Sequence, residues 1–231
     1  MKVAVISDIH GNYDALIEVL NKAKKEGVQF LLLLGDIVGY YYHPDKILNA
    51  LAEWKFDMIK GNHENILENL YNDPSISESI RVKYGSGHKK ALENLDQKTL
   101  LSLFSLSSKK TIVIDNISFE LNHGTPWDPD EYLYPDAPKA KIIRCGSKQH
   151  DFVLMGHTHY SFSYKCDHSI VINPGSVGQS REKGGFAFWS LIDTKDKSYK
   201  LIKTLYDTSD LLKEIKVIDP DNKYLSEVLR R

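Results

Sequence analysis

Asp8 and His10 are the first side chains of the sequence with metal-ligating chemistry, and they stand just after a short apolar run. Residues 3–6 are all aliphatic, which is typical of a strand that is buried on both faces. An acid and an imidazole two positions apart can turn toward one point where a strand gives way to a loop. Both are ligands of divalent metals. The start of the chain therefore predicts a metal site at the end of a first strand.

Other polar segments of the chain follow apolar runs in the same way. Each carries an acid, an amide or a histidine beside a glycine, which permits sharp turns and close approach to a ligand. The segments are Gly35-Asp36, Gly61-Asn62-His63-Glu64, Asn122-His123-Gly124 and Gly156-His157-Thr158-His159. A lone histidine is more often a hydrogen-bonded core residue than a ligand. These polar segments, however, all follow apolar runs, and this shared position favours one common site.

The early part of the chain predicts the sheet that would position these groups. Apolar residues recur at helical spacing over residues 16–23, and Gly27 is a natural helix stop. Residues 28–34 and 56–59 are apolar runs typical of strands, with a helix starting near Pro44 between them. Such strand-helix-strand units have parallel strands and right-handed crossovers. Ligands lie outside the carboxyl ends of parallel strands, so the polar segments should meet at one sheet edge.

Residues 64–108 are poorer in apolar residues and predict two or three helices lying over the edge of the site. We interpret them as an insertion within a single domain of residues 1–231; a plain helical connection without a role is an equal alternative. The second half then returns to strands and ends in a polar helical tail from Leu211 onward. The strands are expected at residues 111–114, 117–121, 152–155, 170–172, 186–192 and 199–205.

Composition and charge exclude several classes of protein. The 231 residues include 30 Lys and Arg against 31 Asp and Glu, so the net charge of -1 gives no bulk attraction to nucleic acid or anionic lipid. No apolar stretch predicts a signal peptide or a transmembrane span. Cys145 and Cys166 match no metal or redox spacing. We therefore expect a cytoplasmic protein whose partner is a small molecule rather than a membrane or a nucleic acid.

Taken in order, the polar segments resemble the motifs of the calcineurin-like metallophosphoesterase superfamily. These motifs are Asp-x-His, Gly-Asp-x-x-Gly, Gly-Asn-His-Glu, His-Gly and Gly-His-x-His, and the resemblance runs from Val3 to about Leu205. The segments Ile37-Val38-Gly39-Tyr40 and Asn173-Pro174-Gly175-Ser176-Val177-Gly178 resemble its compact prokaryotic phosphodiesterase branch. The motifs are specific for the superfamily and say little about the substrate.

The resemblance implies an α/β (α+β) fold, a four-layer α/β/β/α sandwich of two mixed sheets with the helical insertion over the site. It also implies a centre of two divalent metal ions. Asp8, His10 and His159 would hold one ion, Asn62, His123 and His157 would hold the other, and Asp36 would bridge them. Nitrogen and oxygen ligands without thiolate suit Mn, Fe or Zn, and the sequence does not choose among them.

By the same resemblance, the reaction is hydrolysis of a phosphate ester by a hydroxide held between the ions. Asp8 and Asp36 would be the only anionic ligands, so the centre stays positive, attracts phosphate and favours ionisation of bound water. His63 is implied as the acid that protonates the leaving group, and Glu64 as a group that could orient it. The alternative for His63 is a purely positioning role.

Three further residues are candidates for substrate binding. Arg181 could clamp a phosphate because a guanidinium matches phosphate oxygens bidentately, although an ion pair with Glu182 competes. Tyr40 could stack on a nucleobase or simply cover its loop. His88, inside the inserted helices, could reach a substrate or lie at the surface.

The leading hypothesis is a phosphodiesterase acting on a small nucleotide or a related phosphate ester. The same centre would serve a dinucleoside polyphosphate hydrolase or a phosphomonoesterase, whereas the short, non-basic chain disfavours a nuclease. A rival from another class is a protein-interaction scaffold, since the superfamily includes a retromer member that keeps the fold and lacks the catalytic histidine. The presence of His63 and of every motif ligand argues against that rival.

Overall fold

The computed structural model describes all residues from Met1 to Arg231. The chain opens with the series of strands and helices that its apolar periodicity predicts. These elements are β1 (Lys2–Ile6), α1 (Tyr13–Glu26), β2 (Phe30–Leu33), α2 (Pro44–Leu51) and β3 (Phe56–Met58). β1, β2 and β3 pair in parallel, so their carboxyl ends lie at the same edge of the sheet.

Helices fill the chain between β3 and the second sheet. They are α3 (Asn62–Asn72), a short 3₁₀ helix (Pro74–Ile76), α4 (Ser77–Tyr84), α5 (Gly87–Asn94) and α6 (Gln97–Phe104). The prediction of two or three helices was wrong in number, because four α-helices are present. Gly85, with a φ of 78°, ends α4, and the Asp96 side chain caps α6 by accepting from the Thr99 amide. Such closely spaced stops divide one weak apolar pattern into several short helices.

The second half of the chain is dominated by strands. Its elements are β4 (Lys109–Ile114), β5 (Ile117–Asn122), α7 (Lys139–Arg144), β6 (Phe152–Leu154), β7 (Ser161–Lys165), β8 (Ile170–Pro174), β9 (Phe186–Asp193), β10 (Ser198–Leu205), α8 (Ser209–Ile218) and α9 (Lys223–Val228). The β4–β5 hairpin turns through Asp115 and Asn116, which have φ values of 50° and 63°. β7 was not predicted, because this edge strand is short and mostly polar.

The strands form two five-stranded sheets of mixed direction. In the first, with order β10-β9-β1-β2-β3, the antiparallel strands β9 and β10 extend the parallel set. In the second, with order β4-β5-β6-β8-β7, the strands β5, β6 and β8 are parallel and both edge strands are antiparallel. The predicted α/β fold with two mixed sheets is confirmed.

Side chains of β1 alternate between two hydrophobic cores, which explains why the strand is aliphatic throughout. Val3 and Val5 belong to the core between the sheets, together with Phe119 and other residues of the second sheet. Ala4 and Ile6 belong to the core beneath the helices that cover the first sheet. The helix α7 covers the outer face of the second sheet, so the layers run helix, sheet, sheet, helix.

The C-terminal helices are not simply polar. Leu211 and Ile215 of α8 and Leu225 and Val228 of α9 are buried in the core that covers the first sheet. Each helix therefore presents one apolar face to the body of the protein. None of the helices combines the length and the apolar character that crossing a membrane requires.

Candidate metal centre

Left-handed backbone conformations mark most of the predicted metal ligands. Asp8, His10, Asp36, His157 and His159 have φ values of 55°, 51°, 56°, 67° and 62°. This conformation costs about 1–2 kcal/mol for a residue other than glycine. Such strain persists only where the surroundings enforce it, and it concentrates at functional sites. The loops after β1, β2 and β6 thus hold these side chains in enforced positions.

Hydrogen bonds between the loops create this enforcement. The Asp8 amide donates to the Gly35 carbonyl at 3.2 Å, and the His10 amide donates to the Asp36 carbonyl at 2.9 Å. From the second sheet, the His157 amide donates to Asp8 Oδ2 at 3.1 Å. The two sheets are therefore joined at the edge where the ligand side chains converge.

Asp8, His10 and His159 form the first donor group. The Nε2 atom of His159 lies 3.3 Å from Asp8 Oδ1 and 3.1 Å from His10 Nε2. All three residues are buried, with exposed fractions of 2% or less. Their donor atoms lie within 4.8 Å of one another, a spacing at which one cation can contact all three.

Asn62, His123 and His157 surround a second position next to Asp36. The His123 Nε2 atom lies 3.1 Å from Asn62 Oδ1 and 3.3 Å from Asp36 Oδ2. A donor atom of His157 lies within 4.8 Å of those of Asp36 and His123. The structure therefore brings together all the side chains that the sequence motifs single out as ligands.

The Asp36 carboxylate lies between the two groups. Its Oδ2 atom is 3.7 Å from His10 Nε2 and 3.3 Å from His123 Nε2, which belong to different groups. Its Oδ1 atom accepts a hydrogen bond from the His63 amide at 2.8 Å, which fixes the orientation of the carboxylate. Asp36 is thus the one acidic side chain that faces both positions.

Backbone carbonyls set the tautomer of three of the histidines. The Nδ1 atoms of His10, His123 and His159 lie 3.0, 2.7 and 2.7 Å from the carbonyls of Val38, Leu34 and Gln179. A carbonyl only accepts, so each Nδ1 carries a proton, and Nε2 is the nitrogen whose lone pair is available for a cation when the ring is neutral. A hydrogen bond from the other ring nitrogen is the usual support of a metal-binding histidine.

His157 has the opposite orientation. Its Nε2 atom lies 3.2 Å from the Asp130 carbonyl, so Nε2 carries the proton and Nδ1 is the nitrogen free to bind a cation. Sequence reasoning gave no role to Asp130, because a backbone carbonyl leaves no trace in the residue type. The loop between β5 and α7 therefore contributes to the site through its main chain.

The residues present fit a metal ion. Asp8 Oδ1 and Asp36 Oδ2 are buried and have no hydrogen-bond donor, although both belong to the donor groups. A buried carboxylate oxygen without a partner is costly unless a cation balances it. Nitrogen and oxygen donors surround both atoms and no thiolate is present, which is the chemistry that Mn, Fe or Zn accepts.

Electrostatics keep Asp8, Asp36 and His10 in their ligating forms, whereas Asp36 raises the pKa of His123 to about 10 against the effect of burial, so His123 gives up a proton when it binds a cation. Burial favours a raised pKa for Asp8, but His159 and His123 lower the pKa to about 2. Burial also opposes ionisation of Asp36, yet His123 and His63 hold its pKa well below the ordinary value. Burial lowers the pKa of His10 to about 3, against the attraction of Asp36. The two acids are therefore carboxylates and His10 is neutral at pH 7.

Glu64 supports the loops rather than His63. Its Oε2 atom accepts from the amides of Asp36 and Gly61 at 2.8 and 2.7 Å, and its Oε1 atom accepts from the Ile37 amide at 2.8 Å. The expectation that Glu64 orients the His63 ring was wrong, since both oxygens are engaged by the backbone. The bond from the Gly61 amide to Glu64 at the start of α3 is one half of a capping box, since Gly61 has no side chain to accept in return.

His63 lies beside the donor groups, and His88 lies behind it. A ring nitrogen of His63 is within 4.8 Å of the donor atoms of His10 and Asp36. The Nδ1 atom of His63 is 3.1 Å from His88 Nε2. His88 has no exposed surface, so the alternative that it lies at the protein surface was wrong.

Aromatic side chains and Arg181 border the donor groups. The Tyr40 ring lies 4.7 Å from the His10 ring and 4.8 Å from the His63 ring. On the other side, the Tyr132 ring lies 3.9 Å from the His157 ring, and the Arg181 guanidinium lies 5.9 Å from the centre of the Tyr132 ring.

Tyr224 of α9 contributes to the same border, with its ring 6.2 Å from that of Tyr40. Sequence reasoning missed it, because it lies in a short helix far from every motif. Four tyrosine side chains, Tyr224, Tyr40, Tyr132 and Tyr134, act on the pKa of Arg181 and help to raise it against burial. The Arg181 guanidinium is thus held among phenol groups near the candidate centre.

Comparison with known proteins agrees with this geometry. The model of the calcineurin-like phosphoesterase superfamily domain matches residues 1–197. Protein MJ0912 of Methanocaldococcus jannaschii is 30% identical over 240 residues, covering 92% of this chain and 91% of that protein. Phosphodiesterase YfcE of Escherichia coli K12 is 24% identical over 195 residues, covering 80% of this chain and 83% of that protein.

A solved structure shares the whole fold. The crystal structure of hypothetical protein PH1004 from Pyrococcus horikoshii superposes with a TM-score of 0.83 at 24% sequence identity. The match covers 100% of this chain and 98% of the other. The arrangement of the two sheets and their helices is therefore common to both proteins.

Proposed function

Because this chain belongs to the calcineurin-like phosphoesterase superfamily, we propose that it is a metal-dependent phosphodiesterase acting on a small nucleotide or a related phosphate ester. The observation that carries the proposal is the position of the Asp36 carboxylate between two sets of nitrogen and oxygen donors. One carboxylate can bridge two cations that are about 3.5–4 Å apart. The similarity to a relative named as a phosphodiesterase favours a diester as the substrate.

In this proposal, each donor group holds one divalent ion. Asp8, His10 and His159 would hold the first, Asn62, His123 and His157 would hold the second, and Asp36 would contribute to both. When bound, Mn, Fe or Zn ions would supply Lewis-acid stabilisation of the phosphoryl oxygens and an activated water as nucleophile. The protein's part is to hold the ligands buried and in fixed tautomers, which the carbonyl contacts of the imidazoles support.

His63 is the proposed acid for the leaving group. It lies next to both donor groups in the structure and makes no hydrogen bond to a backbone carbonyl through its ring. A proton delivered from its Nε2 atom would neutralise the departing alkoxide, a contribution of about 10²- to 10⁴-fold in rate. Asp36 holds the His63 backbone by a hydrogen bond of 2.8 Å, which links the position of the acid to the bridging carboxylate.

Arg181 and Tyr40 are the proposed substrate-binding residues. The Arg181 amide donates to the His159 carbonyl at 3.4 Å, so the clamp residue is tied to a metal ligand. The guanidinium would bind a phosphate oxygen and thereby orient the ester. Tyr40, whose ring borders His10 and His63, would form the wall beside the leaving group.

Hydrolysis of bis-p-nitrophenyl phosphate with added Mn, Fe or Zn, with and without chelator, tests the metal-dependent activity. Hydrolysis of a dinucleotide, which has an alkoxide leaving group, then tests the proposed role of His63 as the acid. We expect His63→Ala to retain both metals and to lose about 10²-fold or more in turnover of the dinucleotide. Unchanged turnover would exclude the acid role.

A substrate panel separates the remaining alternatives. A preference for dinucleoside polyphosphates or for phosphomonoesters would replace the diester assignment while keeping the metal centre. Absence of chelator-sensitive hydrolysis with every metal and substrate would exclude the enzyme and support the scaffold alternative.

A further inference from the structure

His63 and His88 form a buried pair beside the candidate metal centre. The His63 Nδ1 atom lies 3.1 Å from His88 Nε2, and the rings stack at an angle of 12° with 5.0 Å between their centres. Their exposed fractions are 3% and 0%. We propose that His88 is a positioning residue. Its Nε2 atom accepts a hydrogen bond from the Nδ1–H group of His63, so that the Nε2 atom of His63 is free to protonate the leaving group. This inference rests on the proposed function, in which His63 is the acid.

The proposed acid role of His63 decides the direction of the bond between the two nitrogens. Only one proton fits between atoms 3.1 Å apart. In the form in which His63 would act as the acid it carries protons on both of its nitrogens, and the shared proton then belongs to His63. His88 then accepts at Nε2 and carries its own proton on Nδ1. This is the role that an orienting acceptor has in other acid–base pairs, where it fixes the ring and its tautomer.

Two glycines make room for the pair. A Cβ atom on Gly39 would lie 2.1 Å from His63 Nδ1, so any side chain there would displace the ring from His88. A Cβ atom on Gly87 would lie 2.7 Å from the backbone of Gly39 and Tyr40, so only glycine lets the start of α5 approach that loop. The approach of His88 to His63 is therefore built into the backbone of both segments.

Asp219 anchors the segment that carries His88. Its carboxylate accepts from the Ser86 amide at 2.8 Å and from the Ser86 hydroxyl at 2.7 Å, two residues before His88. It also accepts from the Tyr42 hydroxyl at 3.0 Å, and Tyr42 belongs to the loop that follows Gly39. One buried carboxylate thus fixes both segments that meet at the histidine pair.

The remaining nitrogen of His88 has no partner. Its Nδ1 atom is buried without a hydrogen bond, which is uncommon for a polar atom and is found at sites where function outweighs stability. The ring of Tyr84 covers both histidines, at 4.9 Å from His63 and 5.8 Å from His88. No other side chain hydrogen-bonds to the His63 ring, so His88 is the one residue that can fix its orientation by a hydrogen bond.

A matched pair of variants tests the role of His88. His88→Gln keeps an acceptor at about the position of Nε2, and His88→Leu removes it. On aryl phosphodiesters with leaving phenols of increasing pKa, we expect His88→Leu to stay within about threefold of wild type for p-nitrophenyl esters. We expect a loss of about 30- to 100-fold for phenyl or alkyl esters, which depend on the acid. His88→Gln should recover most of this loss, and the surface control Lys89→Gln should behave as wild type.

Nitrogen-15 NMR of the histidine rings gives a second readout that requires no activity. In the Zn-loaded and the metal-free protein, we expect His63 Nδ1 to be protonated and its proton to be protected from solvent. The signal should persist in His88→Gln and exchange rapidly in His88→Leu. An unprotonated Nδ1 on His63 would reverse the bond and overturn the inference.

The variants also separate this inference from the proposed function. In one outcome, the loss of turnover grows strongly with the pKa of the leaving group in His63→Ala but not in His88→Leu. The positioning role of His88 then fails and the acid role of His63 stands. If His63→Ala shows no such dependence, the acid role fails and the role of His88 fails with it.

Discussion

The Nε2 atoms of His10 and His159 face each other at 3.1 Å in a buried position. Because the Nδ1 atom of each ring donates to a backbone carbonyl, both facing nitrogens carry lone pairs. Asp8 Oδ1, which lies 3.3 Å from His159 Nε2, has no donor either. With both rings neutral, the fold therefore brings three lone-pair-bearing atoms together, and a cation between them would be attracted by all three.

Metal binding should accordingly stabilise the protein. At a free ion concentration of about 100 times the dissociation constant, one ion adds about 2.7 kcal/mol to the free energy of unfolding. For a chain of this size each kcal/mol raises the melting temperature by about 2–4 °C. Thermal unfolding with Zn or Mn and with chelator measures the shift, and elemental analysis should find two ions per chain. The exposed variant His168→Ala should bind the same number.

Gly61→Ala should disable the centre without a backbone penalty. A Cβ atom at Gly61 would lie 2.2 Å from Asp36 Oδ1 and 2.6 Å from His123 Cε1, so both ligands must move. We expect metal affinity to fall about 10- to 100-fold or more, measured by competition with a chromogenic chelator.

The matched control for that variant is Gly27→Ala. Nothing lies within 4 Å of a Cβ atom there, but the φ of 77° is strained for alanine. This control should lose about 1–2 kcal/mol of stability and keep its metals. Equal metal loss in both variants would contradict the steric argument.

Glu64→Gln should weaken the loops that carry Asp36 and Gly61. A glutamine amide group in place of either oxygen would face backbone N–H groups that now donate to Glu64, and each unsatisfied amide costs about 1–3 kcal/mol. Urea unfolding should show the loss, together with weaker metal binding. Glu68→Gln on the same helix changes only a side chain paired with Lys60 at 3.6 Å and should be nearly neutral.

Arg181→Gln should affect substrate binding more than chemistry. A charge-assisted hydrogen bond to phosphate is worth about 1.5–3 kcal/mol, so KM should rise about tenfold or more. The value of kcat should change little if the contact is equal in the ground and transition states. Steady-state kinetics on a nucleotide diester measure both constants. Arg81→Gln, an exposed residue paired with Glu78, should leave KM unchanged.

Asp219→Asn should uncouple the C-terminal segment from the metal centre. The NH2 group of the asparagine would face one of the Ser86 or Tyr42 donors that bind the carboxylate in the wild-type protein. The donor left without an acceptor costs about 1–3 kcal/mol of stability. We expect turnover of poor leaving groups to fall while two metals remain bound. The exposed neighbour Asp221→Asn should change neither property, and metal loss in Asp219→Asn would contradict this separation.

The sheets and the convergence of the ligand side chains were predictable because both are local signals. A buried strand such as β1 must be aliphatic, and a side chain such as Asp8 stands out where the aliphatic run stops. Parallel pairing of β1 with β2 then brings Asp8 and Asp36 to one edge without further information. In the second sheet, parallel pairing of β5 with β6 likewise brings His157, which follows β6, to the same edge as the end of β5.

Other parts of the site depend on contacts between distant residues and were not predictable. Asp219 lies 133 positions from Ser86 along the chain, and no pattern in its short helical tail indicates the pairing. The carbonyl of Asp130 that orients His157 is common to every residue type. The stacking of His88 on His63 depends on the close approach of Gly39 and Gly87, which requires the full fold.

The order of these residues along the chain has a consequence for biosynthesis. Every proposed metal ligand precedes Asp219, and the last of them, His159, is made sixty residues earlier. All of the proposed ligands are therefore synthesised before the anchor for Ser86. A chain that ended before Asp219 would carry every proposed metal ligand and lack the anchor for Ser86.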